Sequence, residues 1–294
     1  MALWLKIVIW SGIGLVLLAI AIVFSRWFVS TTAGQGFVAR YPGHVPLPEW
    51  APVGLPGWLG WQHFLNVFFM VMLVRAGLIV RSGVRPAGTW IRKKPKPASK
   101  KIAIEVWTHL SIDLLWITNG AVFMILIFAT GQWVKIVPTS WEVFPNAIST
   151  GLQYLSLQWP EENGWTGYNS LQLLGYFVTA FIAAPLSAIT GFRQSPLWPN
   201  RFKRLSAVYT SERAKAIHFP VMVYFVCFVI VHVGLVFATG PIRNLNHMFA
   251  SQDTTNWWGV GVFAVAFVFL VTGWFLVRPA VMKQIGSKFG KIGR

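Results

Sequence analysis

Long apolar runs dominate the chain and are separated by polar or basic connections. Six runs stand out, at residues 7–25, 61–80, 107–132, 171–191, 218–240 and 257–277. A helix needs about 20 predominantly apolar residues to cross a bilayer core. The first run exceeds the roughly 7–15-residue core of a secretory signal and is therefore also predicted to be a helix. The pattern predicts an all-α integral membrane protein, one domain over residues 1–294, with six transmembrane helices.

The composition supports a membrane protein. Hydrophobic residues make up 55% of the chain and charged residues 11%, whereas a soluble domain carries about 25% charged residues. A net charge of +17 would suggest nucleic acid binding in a soluble protein, but here the basic residues lie in the connections between apolar runs. The single cysteine, Cys227, excludes an internal disulfide and a cysteine-ligated iron–sulfur cluster.

Lys and Arg residues are distributed unequally between alternate connections. Twenty lie on one side of the predicted membrane and four on the other, with Arg75 inside the second run. Because cytoplasmic loops carry the excess of basic residues, both termini are predicted to be cytoplasmic. The outer connections are rich in Trp, Pro, Gly and Asn, which suggests a docking surface for a periplasmic partner.

Four histidines lie in or at the ends of the predicted spans. His218 and His232 are fourteen residues apart, so they share a helix face and differ in depth by about 21 Å. The topology puts His63 at the outer end of span two and His109 at the inner end of span three. The four residues therefore form two pairs at matching depth, His63 with His232 outside and His109 with His218 inside.

Two imidazoles at one depth can bind a haem iron from its two faces, and two helices of a bundle can supply them. The prediction is two haems b in a four-helix bundle formed by spans two to five, with the first and sixth spans peripheral. No C-x-x-C-H motif is present, so the haems are not covalently attached. Structural zinc fits less well, because it requires four donors in one tetrahedron. Taken singly, each histidine could also simply sit at the membrane interface.

Two charged residues lie within the predicted spans, and each has more than one interpretation. Arg75 pairs with a propionate of the inner haem or with a quinone head group, or it extends to the cytoplasmic interface. Asp113 shares a face with His109. It accepts a proton beside a quinone, orients an imidazole, or pairs with a basic loop residue. His44 and His247 are predicted to form hydrogen bonds within the outer loops.

The histidine pattern resembles the membrane cytochrome b subunits of bacterial formate dehydrogenases and nickel–iron hydrogenases, of the prokaryotic cytochrome b561 type. In that family a late helix carries two histidines fourteen apart, as His218 and His232 stand here, and two earlier helices carry one each, matched by His63 and His109. A closer likeness is to bacterial cytochrome b/b6 domain proteins, often associated with molybdopterin oxidoreductases of the sulfite-oxidase type. It rests on residues 61–66, 115–120, 138–141 and 244–248.

The resemblance implies a location in the bacterial inner membrane and electron transfer between a periplasmic molybdopterin-type oxidoreductase and a membrane quinone. The chain contains no G-x-S-x-G, P-loop or H-E-x-x-H motif, so substrate chemistry is assigned to a partner or to quinone. One alternative is a transporter or channel whose histidines relay protons or bind a metal ion. Another is a membrane anchor without a cofactor. Asp113 is the only carboxylate within the predicted spans, which argues against a relay.

Overall fold

The computed structural model describes residues 2–94, 99–160, 163–199 and 201–293. Lys96 and Arg294, which contribute to the count of inner basic residues, lie outside this part. Six of the described helices are long and apolar enough to cross a membrane. The prediction of an all-α membrane protein with six spans is confirmed.

The described helices are, in chain order, α1 (Leu3–Ser30), α2 (Thr32–Arg40), α3 (Gly57–Ser82), α4 (Ile104–Ala129), α5 (Val143–Leu155), α6 (Ser170–Phe177), α7 (Ala184–Gln194), α8 (Lys203–Val208), α9 (Ser211–Ala238), α10 (Pro241–Leu245), α11 (Trp258–Leu276) and α12 (Pro279–Phe289). A 3₁₀ turn follows α4 (Gln132–Lys135), and π-helical segments follow α6 (Val178–Ala183) and α10 (Asn246–Ala250). The spans are α1, α3, α4, α6 to α7, α9 and α11.

Several spans begin earlier than the apolar runs indicate. Helix α9 begins at Ser211, about two turns before His218. Thr210 caps its N-terminus, where the hydroxyl oxygen accepts a hydrogen bond from the Arg213 amide at 3.3 Å. A span begins in the polar interface, where capping decides its first residue, whereas hydropathy detects only the apolar part. The histidines that were predicted at span starts therefore lie one to two turns inside their helices.

The fourth span is interrupted at its centre. The Asn169 side chain and Gln172 form a reciprocal capping box at the start of α6. The π-helical segment Val178–Ala183 then precedes α7, whose first turn contains Pro185. Proline has no amide hydrogen to donate and clashes with the preceding turn, so the ladder of hydrogen bonds must change there. A π-helical segment absorbs this change without ending the span.

The backbone divides into two compact units. One comprises Met1–Val53 and Gly131–Val178, and the other Gly54–Thr130 and Thr179–Arg294. The second unit contains all four paired histidines. One domain over residues 1–294 stays a prediction.

The second unit has an apolar core between the two histidine depths. Trp116 packs edge-on against Phe225, with ring centroids 6.3 Å apart. The Trp116 indole donates a hydrogen bond of 2.8 Å to Asn66 Oδ1. The core is completed by Leu73, Ala183 and Val221. Trp116 lies about two turns beyond His109, and Phe225 lies midway between His218 and His232, so this core fills the centre of the bundle.

A small antiparallel sheet, which the sequence did not predict, is the one strand structure among the described residues. Its order is β2 (Ile102–Ala103), β1 (Thr89–Arg92), β3 (Gly290–Gly293). It ties the connection after α3 to the C-terminal segment, and the Trp90 indole donates a hydrogen bond to the Gly286 carbonyl at 3.0 Å. These strands are too short to produce the period-two alternation that would reveal them.

Candidate functional site

The structure brings the outer pair of histidines together. The ring centroids of His63 on α3 and His232 on α9 are 6.2 Å apart, with an angle of 54° between the ring planes. A ring nitrogen lies about 1 Å from the ring centroid and binds a metal at about 2 Å, so two imidazoles on one metal ion have centroids about 6 Å apart. The observed separation fits an iron held between the two rings.

Aromatic side chains surround this outer pair. Phe228 lies parallel to His232, with centroids 5.7 Å apart and an angle of 7°. Phe249 meets His63 edge-on, with centroids 5.9 Å apart and an angle of 86°. His63 Nδ1 is buried and has no hydrogen-bond partner among the residues that the structure describes. A buried unpaired nitrogen costs about 1–3 kcal/mol, and a ligand that bonds to Nδ1 itself would offset this cost.

Phe249 belongs to a segment that we call the outer cap, residues 241–256, which lies over the start of α3. The fit is close: a Cβ on Gly60 would lie 2.5 Å from the Met248 carbonyl oxygen. Asn246 is fully buried. Its Oδ1 accepts from the Gly259 amide at 2.7 Å, and its Nδ2 donates to the Thr254 carbonyl at 3.0 Å. The cap is therefore tied to both α3 and α11.

A carboxylate holds two parts of the cap together. Asp253 Oδ1 accepts hydrogen bonds from Arg243 Nε at 2.7 Å and from His247 Nε2 at 2.8 Å. The Arg243 guanidinium, and secondarily His247, lower the pKa of Asp253 from 3.8 to about 2. His247 thus forms the predicted hydrogen bond, although it lies in a π-helical turn rather than in a loop.

The inner pair lies at the other end of the same bundle. His109 lies on α4 and His218 on α9. Thr190 Oγ1 on α7 lies 2.8 Å from His218 Nδ1. The same hydroxyl donates its proton to the Leu186 carbonyl at 2.7 Å. When the single hydroxyl proton goes to this carbonyl, His218 Nδ1 is the donor to Thr190, and the lone pair of Nε2 is available for a metal.

A glycine faces each inner histidine. A Cβ on Gly77 of α3 would lie 3.2 Å from His109 Cε1, and a Cβ on Gly191 of α7 would lie 3.4 Å from His218 Cε1. His109 Nδ1 is buried without a hydrogen bond in the described part of the chain. The glycines let both imidazoles lie directly against a neighbouring helix, which fixes where the rings can point.

Asp113 lies beside the inner pair. Its Oδ2 is 3.6 Å from His109 Nε2. Of the alternatives for Asp113, the structure shows contact with an imidazole. Contact with a quinone stays a prediction.

Arg75 belongs to α3, and its side chain lies against the C-terminal end of α11. Its guanidinium donates a hydrogen bond to the Val277 carbonyl and lies 5.0 Å from the Trp274 ring centroid. A cation that binds the last carbonyls of a helix stabilises that helix end. This structural role was not anticipated. Contact of Arg75 with a haem propionate or a quinone stays a prediction.

Sequence reasoning missed the neighbours that hold the histidines in place. They are Thr190, Gly77, Gly191 and Phe249. Only Phe249 could have been found from the sequence, because it directly follows the stretch 244–248 that carries part of the resemblance. Thr and Gly within an apolar run fit many packing roles, and their partners are remote in sequence.

The described residues offer no set of donors that could hold a bare metal ion. Among them, no group of three or more His, Cys, Asp or Glu side chains converges on one point. Zinc and similar ions require at least three protein ligands. Two histidines without a third donor fit a metal whose remaining ligands come from a macrocycle.

Histidines on neighbouring helices near both ends of an apolar helical bundle are typical of membrane haem proteins. The prokaryotic cytochrome b561 family matches residues 54–251, about two thirds of the chain, and the match contains all four histidines. The chain belongs to this family. It is therefore a multi-pass membrane protein that binds haem b and transfers electrons. No curated protein and no solved structure matches the chain significantly.

Proposed function

We propose that the chain is a di-haem electron-transfer subunit linking a periplasmic molybdopterin-type oxidoreductase to the membrane quinone pool. His63 and His232 are the axial ligands of the outer haem, and His109 and His218 those of the inner haem. The observation that carries the proposal is the 6.2 Å separation of the His63 and His232 rings, which matches the spacing of two imidazoles on one iron.

When bound, haem b supplies a one-electron couple, and the protein supplies ligands, spacing and a low dielectric. Thr190 holds His218 in the tautomer whose Nε2 can bind iron. The aromatic pair of Trp116 and Phe225 fills the space between the two depths and excludes water from it. Along α9 the two ligands differ in depth by about 21 Å, enough to place one site near each surface.

The inner site is the proposed place of quinone exchange. Asp113 is the carboxylate closest to the inner histidines and supplies a proton acceptor at that depth. The excess of basic residues in the connections that share this side supports a cytoplasmic position for it, with both termini in the cytoplasm. Proton uptake or release there, with electron exchange on the opposite side, couples the reaction to the membrane potential.

The outer site is the proposed place of partner exchange. It lies beneath the outer cap, and the outer connections offer a docking surface rich in Trp and Pro. The likeness to cytochrome b proteins associated with molybdopterin oxidoreductases supports a partner of that class. The inner membrane of a bacterium is the location that this arrangement requires.

Haem content in single-histidine variants tests the pairing. We expect the wild type to bind two haems b per chain and His63→Ala, His232→Ala, His109→Ala and His218→Ala to bind one. His63→Ala and His232→Ala should retain the same haem, with one midpoint potential, and the other two variants should retain the second haem. Haem per protein and potentiometric titration of the reduced band measure both quantities.

His44→Ala is the matched control, because His44 is exposed and lies in the other unit. It should keep both haems. Loss of both haems from every one of the four variants, with helical content retained, would contradict the pairing. A preparation without a reduced haem band under ample haem supply would contradict the proposal as a whole.

A further inference from the structure

Helix α5, in the connection between spans three and four, is unusual for a segment outside the spans. It is 13 residues long and contains no charged residue. Apolar segments of about 10–14 residues are too short to span a bilayer and are typical of interfacial or re-entrant elements. The helix thus has the length and composition of a segment that contacts lipid.

The polarity of α5 is inverted relative to a helix that faces water. Its buried side includes the polar residues Asn146, Ser149 and Thr150. Its exposed side carries Phe144 and Ile148, which are 46% and 61% exposed. A helix on the surface of a soluble protein buries its apolar stripe and exposes its polar one. The reverse arrangement is stable where the surroundings are apolar.

The buried polar side chains have partners inside the same unit. Asn146 Oδ1 accepts a hydrogen bond from the Gly43 amide at 2.9 Å, and Thr150 Oγ1 donates to the Gly43 carbonyl at 3.0 Å. Gly43 has a φ of 109°, a conformation that favours glycine. These bonds fix the rotation of α5 about its axis, so the apolar side cannot turn inward.

Two features connect the exposed side of α5 with the bilayer. Tryptophans flank the helix, with Trp141 85% exposed just before it and Trp159 exposed just after it. Tryptophan is enriched at the boundary between membrane and water. The helix also packs against α1, a span with exposed apolar side chains along its length. The apolar side of α5 therefore adjoins a surface that faces lipid.

We propose that α5 is an in-plane membrane helix, with the side chains of Phe144, Ile148 and Leu155 inserted among the acyl chains of the adjacent leaflet. Lipid fits this surface better than a soluble partner, because the exposed side offers no charge and few hydrogen-bonding groups. The described part of the chain then has a seventh membrane-inserted element.

A single fluorophore on α5 tests the proposal in the full-length, haem-loaded protein in lipid nanodiscs. In a Cys227→Ala background, Phe144→Cys and Ile148→Cys are labelled separately with an environment-sensitive nitrobenzoxadiazole. We expect blue-shifted emission that doxyl-labelled lipids quench and aqueous iodide does not. Leu15→Cys on α1 is the lipid-facing control, and Glu49→Cys on the outer connection is the water-facing control.

The other outcomes overturn the proposal. Quenching by iodide and not by doxyl lipid shows that the face is open to water. Quenching by neither shows that protein covers it, as in an interface between two copies. Retention of the reduced haem band verifies folding of each variant. The two positions are independent, so one folded variant suffices for the decision.

Discussion

At the residue scale, the histidines are positioned by groups on neighbouring helices that have little hydrogen-bonding capacity left for other partners. When Thr190 donates its only proton to the Leu186 carbonyl of its own helix, it accepts a hydrogen bond from His218 Nδ1. A hydrogen bond from the distal nitrogen of a ligating imidazole fixes its tautomer and raises its basicity. The orientation of this ring is therefore decided by one hydroxyl on a neighbouring helix.

Replacing this hydroxyl should weaken the inner haem site. In Thr190→Val the shape is kept and the acceptor is lost, so we expect about a tenfold loss of affinity for the inner haem. The midpoint potential of that haem should rise, because a less basic ligand stabilises ferric iron less. Haem retention on dilution and redox titration measure these effects. Thr190→Ser keeps the hydroxyl and should behave as the wild type; equal losses in both variants would contradict this role.

A buried lysine in the other unit makes stability depend on pH. Lys135 is 2% exposed, and burial lowers its pKa from 10.5 to about 8. Between these values the unfolded chain holds a proton that the folded chain has lost, so the free energy of unfolding rises with pH, by about 3 kcal/mol at most. We expect the thermal midpoint of the wild type to rise over this range relative to that of Lys135→Met. Parallel midpoints for the two proteins would show that Lys135 makes no such contribution.

At the scale of elements, the outer cap links the connection between α9 and α11 to the outer histidine pair. Phe249 contacts His63, Gly60 admits the Met248 carbonyl, and Asn246 ties the cap to the start of α11. These contacts join three elements at one end of the bundle. A substitution in the cap should therefore change the midpoint potential of the outer haem while the haem ligands stay the same.

Asp253→Asn should loosen the cap and leave the fold intact. The variant loses the charge that Arg243 and His247 share, so backbone amides in residues 241–256 should exchange hydrogen severalfold faster. The potential of the outer haem should shift, and that of the inner haem should not. Glu142→Gln, an exposed acidic residue in another connection, is the control. Exchange unchanged in Asp253→Asn would show that the carboxylate does not hold the cap.

The depressed pKa of Asp253 sets the pH range of this effect. The folded value is about 2 and the ordinary value is 3.8. The ion pair therefore contributes its full stability above the ordinary value and loses it as the pH falls toward 2. The cap should remain closed throughout the neutral range.

At the scale of the whole molecule, six spans and an uneven distribution of basic residues define the proposed orientation. The small sheet gathers the connection after α3 and the C-terminal segment on one side, which is the side rich in Lys and Arg. All connections on that side should be cytoplasmic.

Reporter fusions test this orientation. Green fluorescent protein fused after the C-terminal segment should fluoresce, because it folds in the cytoplasm. Alkaline phosphatase fused after Leu155 should be active, because it requires the periplasm. Exchanging the two reporters gives the matched controls, in which both should be inactive. The reverse pattern would invert the assignment of inner and outer sites.

The sequence by itself determined the membrane class and the six spans, and it predicted the sorting of four histidines by depth. These features depend on hydropathy and helical periodicity, which are local properties of the chain. The family match over residues 54–251 agrees with the division between a central bundle and the added first and sixth spans. Helix starts were less well predicted, because capping groups lie outside the apolar runs.

Only the tertiary structure decided which groups hold the histidines and which surfaces stay open. Thr190, Gly77 and Phe249 contact histidines on other elements, and no local pattern distinguishes them from ordinary packing residues. Arg75 has three sequence-based interpretations, yet it binds the end of α11, some 200 residues away. The inverted polarity of α5 likewise became visible only when its neighbours showed which side is buried. Such contacts depend on how helices pack, and packing depends on the shapes of all partners at once.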